Sequence, residues 1–192
     1  SGHYRAAWLV DHEATGDHMV LKQLKLPEDD DDTDHTVNPV SLSKVQKDAI
    51  VMERLTASPR IVDAYGYCGT SILAENMPYE VAEHMVPGTG NADQEELDQL
   101  PALRPVNNYT IEEKLDMAIE MSEALADLHG ASGGVILHGD VHPVQWLKSA
   151  DGKLKLNDFN GCEVLEWNEK EQKSCKTNRG MWGGNVSTGF SS

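Results

Sequence analysis

Basic residues are scarce. The 192-residue chain carries 16 Lys and Arg against 32 Asp and Glu, a formal charge of −16. A nucleic-acid partner requires a basic face, and an anionic membrane surface attracts one, so both are excluded as principal partners. A bound nucleotide is not excluded, because a phosphate site is local and can carry its own cation. Cysteine is scarce too: Cys68, Cys162 and Cys175 are an odd, sparse set that argues against a disulfide framework. That leans toward a reducing, cytoplasmic compartment, and a Cys162–Cys175 bridge rests on spacing alone. No apolar run reaches the length of a membrane span and no signal peptide is visible. The chain starts at Ser1 without Met, which leaves room for a removed leader. The sequons at Asn108 and Asn185 are as many as chance allows.

What is present is concentrated between His138 and Asn160, in the run HGDVHPVQWLKSADGKLKLNDFN. Asp140 follows the apolar run Gly134–Leu137, and Asp158 follows an alternating segment with Leu154 and Leu156. The Asp151-Gly152 pair between two short apolar segments is a hairpin signal, with the two carboxylates at neighbouring ends. Such a pair suits a metal-assisted reaction. One carboxylate orients or deprotonates a nucleophile and the other holds a divalent cation.

The length suits one domain or one two-lobed domain. Strands are predicted over residues 4–10 and 18–26, joined by a polar turn with Gly16. In the second, Val20, Lys22 and Leu24 share a face, so Lys22 either snorkels to water or meets an inward carboxylate. The aspartate run Asp29–Asp32 reads as a solvated insertion. A helix is predicted over 43–57, with Ser43 and Gln46 as a capping box and Val45, Asp48, Ala49, Met52 and Leu55 on one stripe. Asp48 then faces inward and needs a cation, and Lys22 is the natural candidate. Strands over 61–68 and 71–76 form a second hairpin about Gly69-Thr70. Residues 87–108 shift to Gly, Pro, Asp and Asn and read as an exposed insertion. The clearest helix is 111–129, capped by Thr110 with Glu113 and stopped at Gly130. Its expected buried stripe is Leu115, Ala118, Ile119, Ser122, Leu125 and Leu128. Beyond Trp167 the tail reads as a polar loop, with Ser174, Thr177, Ser187 and Thr188 as solvated hydroxyls.

The order of these pieces resembles the eukaryotic protein kinase family along nearly the whole chain. GHYRAAWLV is similar to the end of a glycine-rich loop and its strand, VLK to the strand with the phosphate-binding lysine, and ERLTASPRIVDAYGYC to the regulatory helix and its exit. ILAENMP is similar to the strand entering the hinge, HGDVHPVQWL to the catalytic loop, and DFN to the metal-binding triplet. The step between the two aspartates matches the family's (158 − 140 = 18). The resemblance implies an α+β, two-lobed fold: an N-lobe and hinge over 1–79 and a partial C-lobe over 80–192, with the catalytic loop at 138–147 and an activation segment at 158–192. It implies ATP and Mg2+ as cofactors. Lys22 would contact the phosphates, with Gly2, Asp48, Glu75 and Met77 completing the nucleotide site. Asp140 would take the acceptor's proton beside His142, and Asp158 and Gln145 would hold the metal.

Departures accompany the match. Asp48 stands for a glutamate, His142 for a lysine, Gln145 for an asparagine, Asn160 and Arg5 for glycines, and Gly139 for an arginine. The chain begins inside the glycine-rich loop and stops before the substrate-binding helices, so a fragment that leaves an uncovered face is expected. A protein substrate or partner, and a larger assembly over that face, follow from the resemblance. Two other functions fit the same residues. HGD followed by His-Pro is nearer the catalytic loop of aminoglycoside and choline kinases, and the altered positions suit a non-catalytic pseudokinase. A non-haem iron site at His138 and Asp140 would need a further downstream histidine, and none follows His142.

Overall fold

The computed structural model describes residues 5–25, 39–82 and 109–174. Its first part is a four-stranded antiparallel sheet in the order β1-β2-β4-β3, covered by one helix. β1 (Arg5–Asp11) and β2 (His18–Leu24) form a hairpin in which Arg5 faces Leu24 and Ala7 faces Lys22. Gly16, at φ 76°, takes the left-handed turn position where a side chain would be strained. β3 (Ala64–Cys68) and β4 (Ser71–Glu75) form the second hairpin, turned at Gly69, with β4 next to β2.

The helix α1 spans Pro39–Arg54 and so begins four residues before the expected start. Proline at the first helical position costs nothing, since its missing N–H would have no partner there. Ser43 and Gln46 are therefore interior residues rather than a cap. The stripe itself is as expected: Val45, Asp48, Ala49, Met52 and Leu55 are all buried. α1 packs on the sheet and on a short 3-10 turn at Phe159–Gly161. Met52, Ile72 and Phe159 are fully enclosed at this junction, and each such side chain contributes about 1.5–3 kcal/mol of burial.

The strand expected over 61–68 divides. Val62 donates to the Leu156 carbonyl at 3.0 Å and Leu156 donates to the Arg60 carbonyl at 2.8 Å, so residues 60–62 join the second part of the chain and the bonds to β4 begin at Asp63. The second part holds β5 (Tyr79–Glu80), helix α2 (Ile111–His129), β6 (Val135–Leu137), β7 (Trp146–Lys148), β8 (Leu154–Leu156) and β9 (Glu163–Leu165). β7 and β8 make the expected hairpin, and β6 pairs with β9. Arg60 reinforces the joint through Glu123 and Asp127 of α2.

α2 has the expected bounds and the full Thr110–Glu113 capping box. Its buried face is the expected one only at its C-terminal end, where Leu128 is buried and Leu125 packs against the core. Met117, Ala124 and Leu128 are buried, and Met121 packs beside them, whereas Leu115 is 60% and Ile119 48% exposed. Toward the N-terminal end, at 3.6 residues per turn, this is a rotation of roughly 100°. The helix carries apolar residues on two faces, and packing against β6 and β8 selects the one with Met117. A short hairpin of β10 (Trp167–Asn168) and β11 (Lys173–Ser174) occupies the start of the segment expected to be loop. Asn168 builds its turn by accepting from the Lys170 and Glu171 amides. No helix among the described residues is long and apolar enough to cross a membrane. The aspartate run, the 87–108 insertion, Gly2 and Cys175 lie outside the described residues.

Candidate functional site

The site forms where the sheet and α1 meet the loop after β8. Lys22 comes from β2, Asp48 from α1 and Asp158 from the residue before the 3-10 turn. Asp158 has φ 61° and ψ 73°, a left-handed conformation that aspartate tolerates better than most residues. Asp48 is fully buried and accepts the Phe159 N–H at 2.6 Å.

The expected Lys22–Asp48 bond is absent from this arrangement. Lys22 Nζ donates instead to Asn157 Oδ1 at 2.6 Å, and Asp48 is hydrogen-bonded by Arg5 Nη1. The other end of the Arg5 fork, Nη2, holds Asp158 Oδ1. Geometry explains the exchange. Arg5 lies on the same face of the hairpin as Lys22, and its planar fork places one nitrogen on each of the two carboxylates. Burial lowers the Lys22 ammonium below its ordinary value, against the pull of Asp48. Burial alone would raise Asp48, but the Lys22 and Arg5 charges and the bonds from Arg5 and Phe159 hold it below its usual value. Burial raises Asp158, and Arg5 only partly offsets this.

A second group lies beside the first. His138 is buried, with Nε2 donating to the Asn157 carbonyl at 2.9 Å and Nδ1 accepting the Asp140 N–H at 3.3 Å. Those two bonds define a neutral imidazole protonated at Nε2. Burial pushes its pKa below the ordinary value, in the same direction. Its ring meets Phe159 edge-on at 5.2 Å. His138 is thus the tie between the two aspartate-bearing loops, in keeping with a structural role. The Asp140 carboxylate is 54% exposed, with His142 Nε2 at 3.5 Å. Buried Gln145 turns its amide nitrogen to Asp140 Oδ2 and to His142 Nε2, both at 3.2 Å.

The remaining expected residues are engaged elsewhere. Glu75 bonds Lys155 at 2.6 Å and the Asp63 N–H at 3.2 Å, and Met77 is packed into the core. A surface cavity of about 210 Å³ lies by α2, lined among others by Tyr109, Glu113, Asp116 and Lys148, and contains none of the expected residues. Sequence reasoning overlooked Arg5 and Asn157 as site residues. The signal for Arg5 was its register: positions of a hairpin that sum to 29 face one another, which puts residue 5 opposite residue 24 and next to the pair 7 and 22.

At Asp158 one carboxylate oxygen is already engaged by protein donors. This oxygen, Oδ1, takes N–H groups from Arg5 and, at 2.6 Å, from Asn160 Nδ2. Gln145 directs donors, not an oxygen, toward Asp140. Among the described residues no group of three or more His, Cys, Asp or Glu could hold a metal ion.

An antiparallel sheet backed by one helix, joined to a second part with α2 and the β7–β8 hairpin, makes a kinase-like α+β fold. The comparison with solved structures gives the same class. The chain is similar to a chain of the CAK (CDK-activating kinase) complex from Chaetomium thermophilum bound to ATP-γ-S, with a TM-score of 0.60 and 16% identity. The match covers 86% of this chain and 45% of that one, so the present chain spans less than half of its length. No protein-family model and no curated protein matches the sequence.

Proposed function

We propose that the chain is part of an ATP-dependent phosphotransferase that passes the γ-phosphoryl group to a protein hydroxyl. The two lobes would divide near residue 79, with 138–147 as catalytic loop and 158–192 as activation segment. The observation that carries the reading is the convergence of Lys22, Asp48 and Asp158 at one buried cluster, next to an exposed Asp140. Lys22 would meet the phosphates and Asp140 would accept the acceptor proton. Gln145 would hold Asp140 in orientation. Positioning and charge are most of what phosphoryl transfer asks of a protein. The exposed apolar stripe of Ile111, Leu115 and Ile119 supports a larger assembly around α2.

A second reading, a nucleotide-binding pseudokinase, is favoured by one observation. Both cations of the cluster are already hydrogen-bonded by protein groups, Arg5 by two carboxylates and Lys22 by Asn157. Radiolabelled ATP offered with protein acceptors and, separately, with small alcohols decides between them. Label on protein that falls at least about a hundredfold in Asp140→Asn supports transfer to protein. Label on alcohols makes it a small-molecule kinase, and nucleotide binding without label makes it a pseudokinase.

A further inference from the structure

We propose that Arg5 is a resident cation that takes the place of a divalent metal at Asp158, so that nucleotide phosphates are met here without one. The second half of this statement rests on the nucleotide reading above.

The case begins with charge. A buried carboxylate, Asp48, beside a partly buried one, Asp158, needs counter-charge at close range. The Arg5 guanidinium supplies it, touching Asp48 with one nitrogen and Asp158 with the other, and is itself only 11% exposed. With Lys22 added, two cations oppose two anions and the cluster sums to zero. Nothing in it calls for a further dication.

The donor chemistry agrees. Asp158 Oδ1 accepts from two N–H donors, Arg5 and Asn160. A metal at that oxygen must displace the guanidinium, and Asp48, at 0% exposure, would lose its Arg5 bond with it. Gln145, which the kinase resemblance implies as a metal ligand, offers its amide nitrogen to Asp140 and His142 instead. Arginine also suits the substitution chemically. It stays charged at any working pH, and its fork pairs with phosphate as readily as with carboxylate.

Mn2+ titration of the nucleotide-free chain, followed by electron paramagnetic resonance, tests this directly. The wild type is expected to show no saturable site. Arg5→Gln keeps a donor but removes the charge, and should bind Mn2+ at least about tenfold more tightly. Adding Asp158→Asn should abolish that gain. A second measurement needs no variant: the affinity of the wild type for MANT-ATP should agree within about threefold in EDTA and in Mg2+. Saturable Mn2+ binding by the wild type overturns the proposal, as does a folded Arg5→Gln that gains nothing. So does a rise of about tenfold or more in nucleotide affinity on adding Mg2+. The Mn2+ result stands whether or not nucleotide binds. Failure of the nucleotide reading appears separately, as no MANT-ATP binding in either buffer.

Discussion

Replacing Asp48 tests the buried cluster most severely. The side chain is fully enclosed and accepts from two groups, the Arg5 guanidinium and the Phe159 N–H. Asp48→Ala leaves Arg5 with Asp158 as its one remaining carboxylate partner here, and breaking one side of a buried pair costs about 3–5 kcal/mol. It also strands the Phe159 N–H, and a buried unsatisfied donor costs about 1–3 kcal/mol. The two overlap, because one void admits water to both. Even the lower figure is a large part of the roughly 5–15 kcal/mol that holds a domain folded. Asp48→Asn keeps the shape and an oxygen for Phe159 but presents an amide to a guanidinium, so a loss of about 3 kcal/mol is expected. Asp48→Glu keeps the charge but forces a methylene into a filled site, for about 1–3 kcal/mol. Restoring the residue that the kinase resemblance calls for should therefore harm this chain.

Urea unfolding read by tryptophan fluorescence gives the order, with midpoints falling at constant slope from wild type through Glu and Asn to Ala. Combining Asp48→Asn with Arg5→Met should cost less than the sum, with a coupling of about 1–3 kcal/mol. An Asp48→Asn chain within about 0.5 kcal/mol of wild type would refute the reasoning, since it would mean that no buried ion pair exists. The pH dependence carries the same signature. Asp48 is held below its ordinary 3.8, so its contribution is complete above that value and is lost as pH falls through the folded pKa.

Three further outcomes follow from the geometry. His138 is held below its ordinary 6.5, so the unfolded chain binds its proton first; stability should decline as pH falls below that value, and His138→Gln should flatten the decline in a pH series of thermal melts. Lys22→Met removes one of the two cations that balance the cluster and the donor to Asn157, so its melting temperature should fall and MANT-ATP binding should be lost. Gly134 has φ 141°, and a Cβ there would lie 2.7 Å from the Leu165 carbonyl, so Gly134→Ala should part β6 from β9 and cost about 1–3 kcal/mol by urea unfolding.

Local periodicity made α1 legible. Its stripe, including the inward Asp48, could be counted along the chain, although Val51 is also buried and Val40 and Ile50 are exposed. α2 was not legible in the same way. Its ends follow from Thr110, Glu113 and Gly130, but Leu115 and Ile119 compete with Met117 and Met121 for the core, and only the neighbouring strands decide. Ser43-x-x-Gln46 misled for a related reason: a capping pair is a local signal, and Pro39 was the stronger one. Ile61 and Val62 had strand chemistry, but nothing local told that their partner would be Leu156, about a hundred residues later, rather than β4. The partner of Asp48 was missed because Arg5 was weighed as a lost glycine, not as a charge on the same sheet face as Lys22.

Asn157 shows why a motif can identify the chemical groups and still miss what positions them. Its side chain accepts from Lys22, its carbonyl accepts from His138, and its N–H donates to the Gln145 carbonyl at 2.9 Å. Three different strands or loops thereby fix one peptide. Asp158 follows it in a left-handed conformation that costs free energy and persists only where the surroundings over-determine it. Those three bonds, with Phe159 locked between Asp48 and His138, supply that constraint. The same bonds join the lysine side of the cluster to the loop bearing Asp140. The relative placement of the two aspartates is therefore set by the residue just before the Asp-Phe-Asn triplet, where the motif marks nothing.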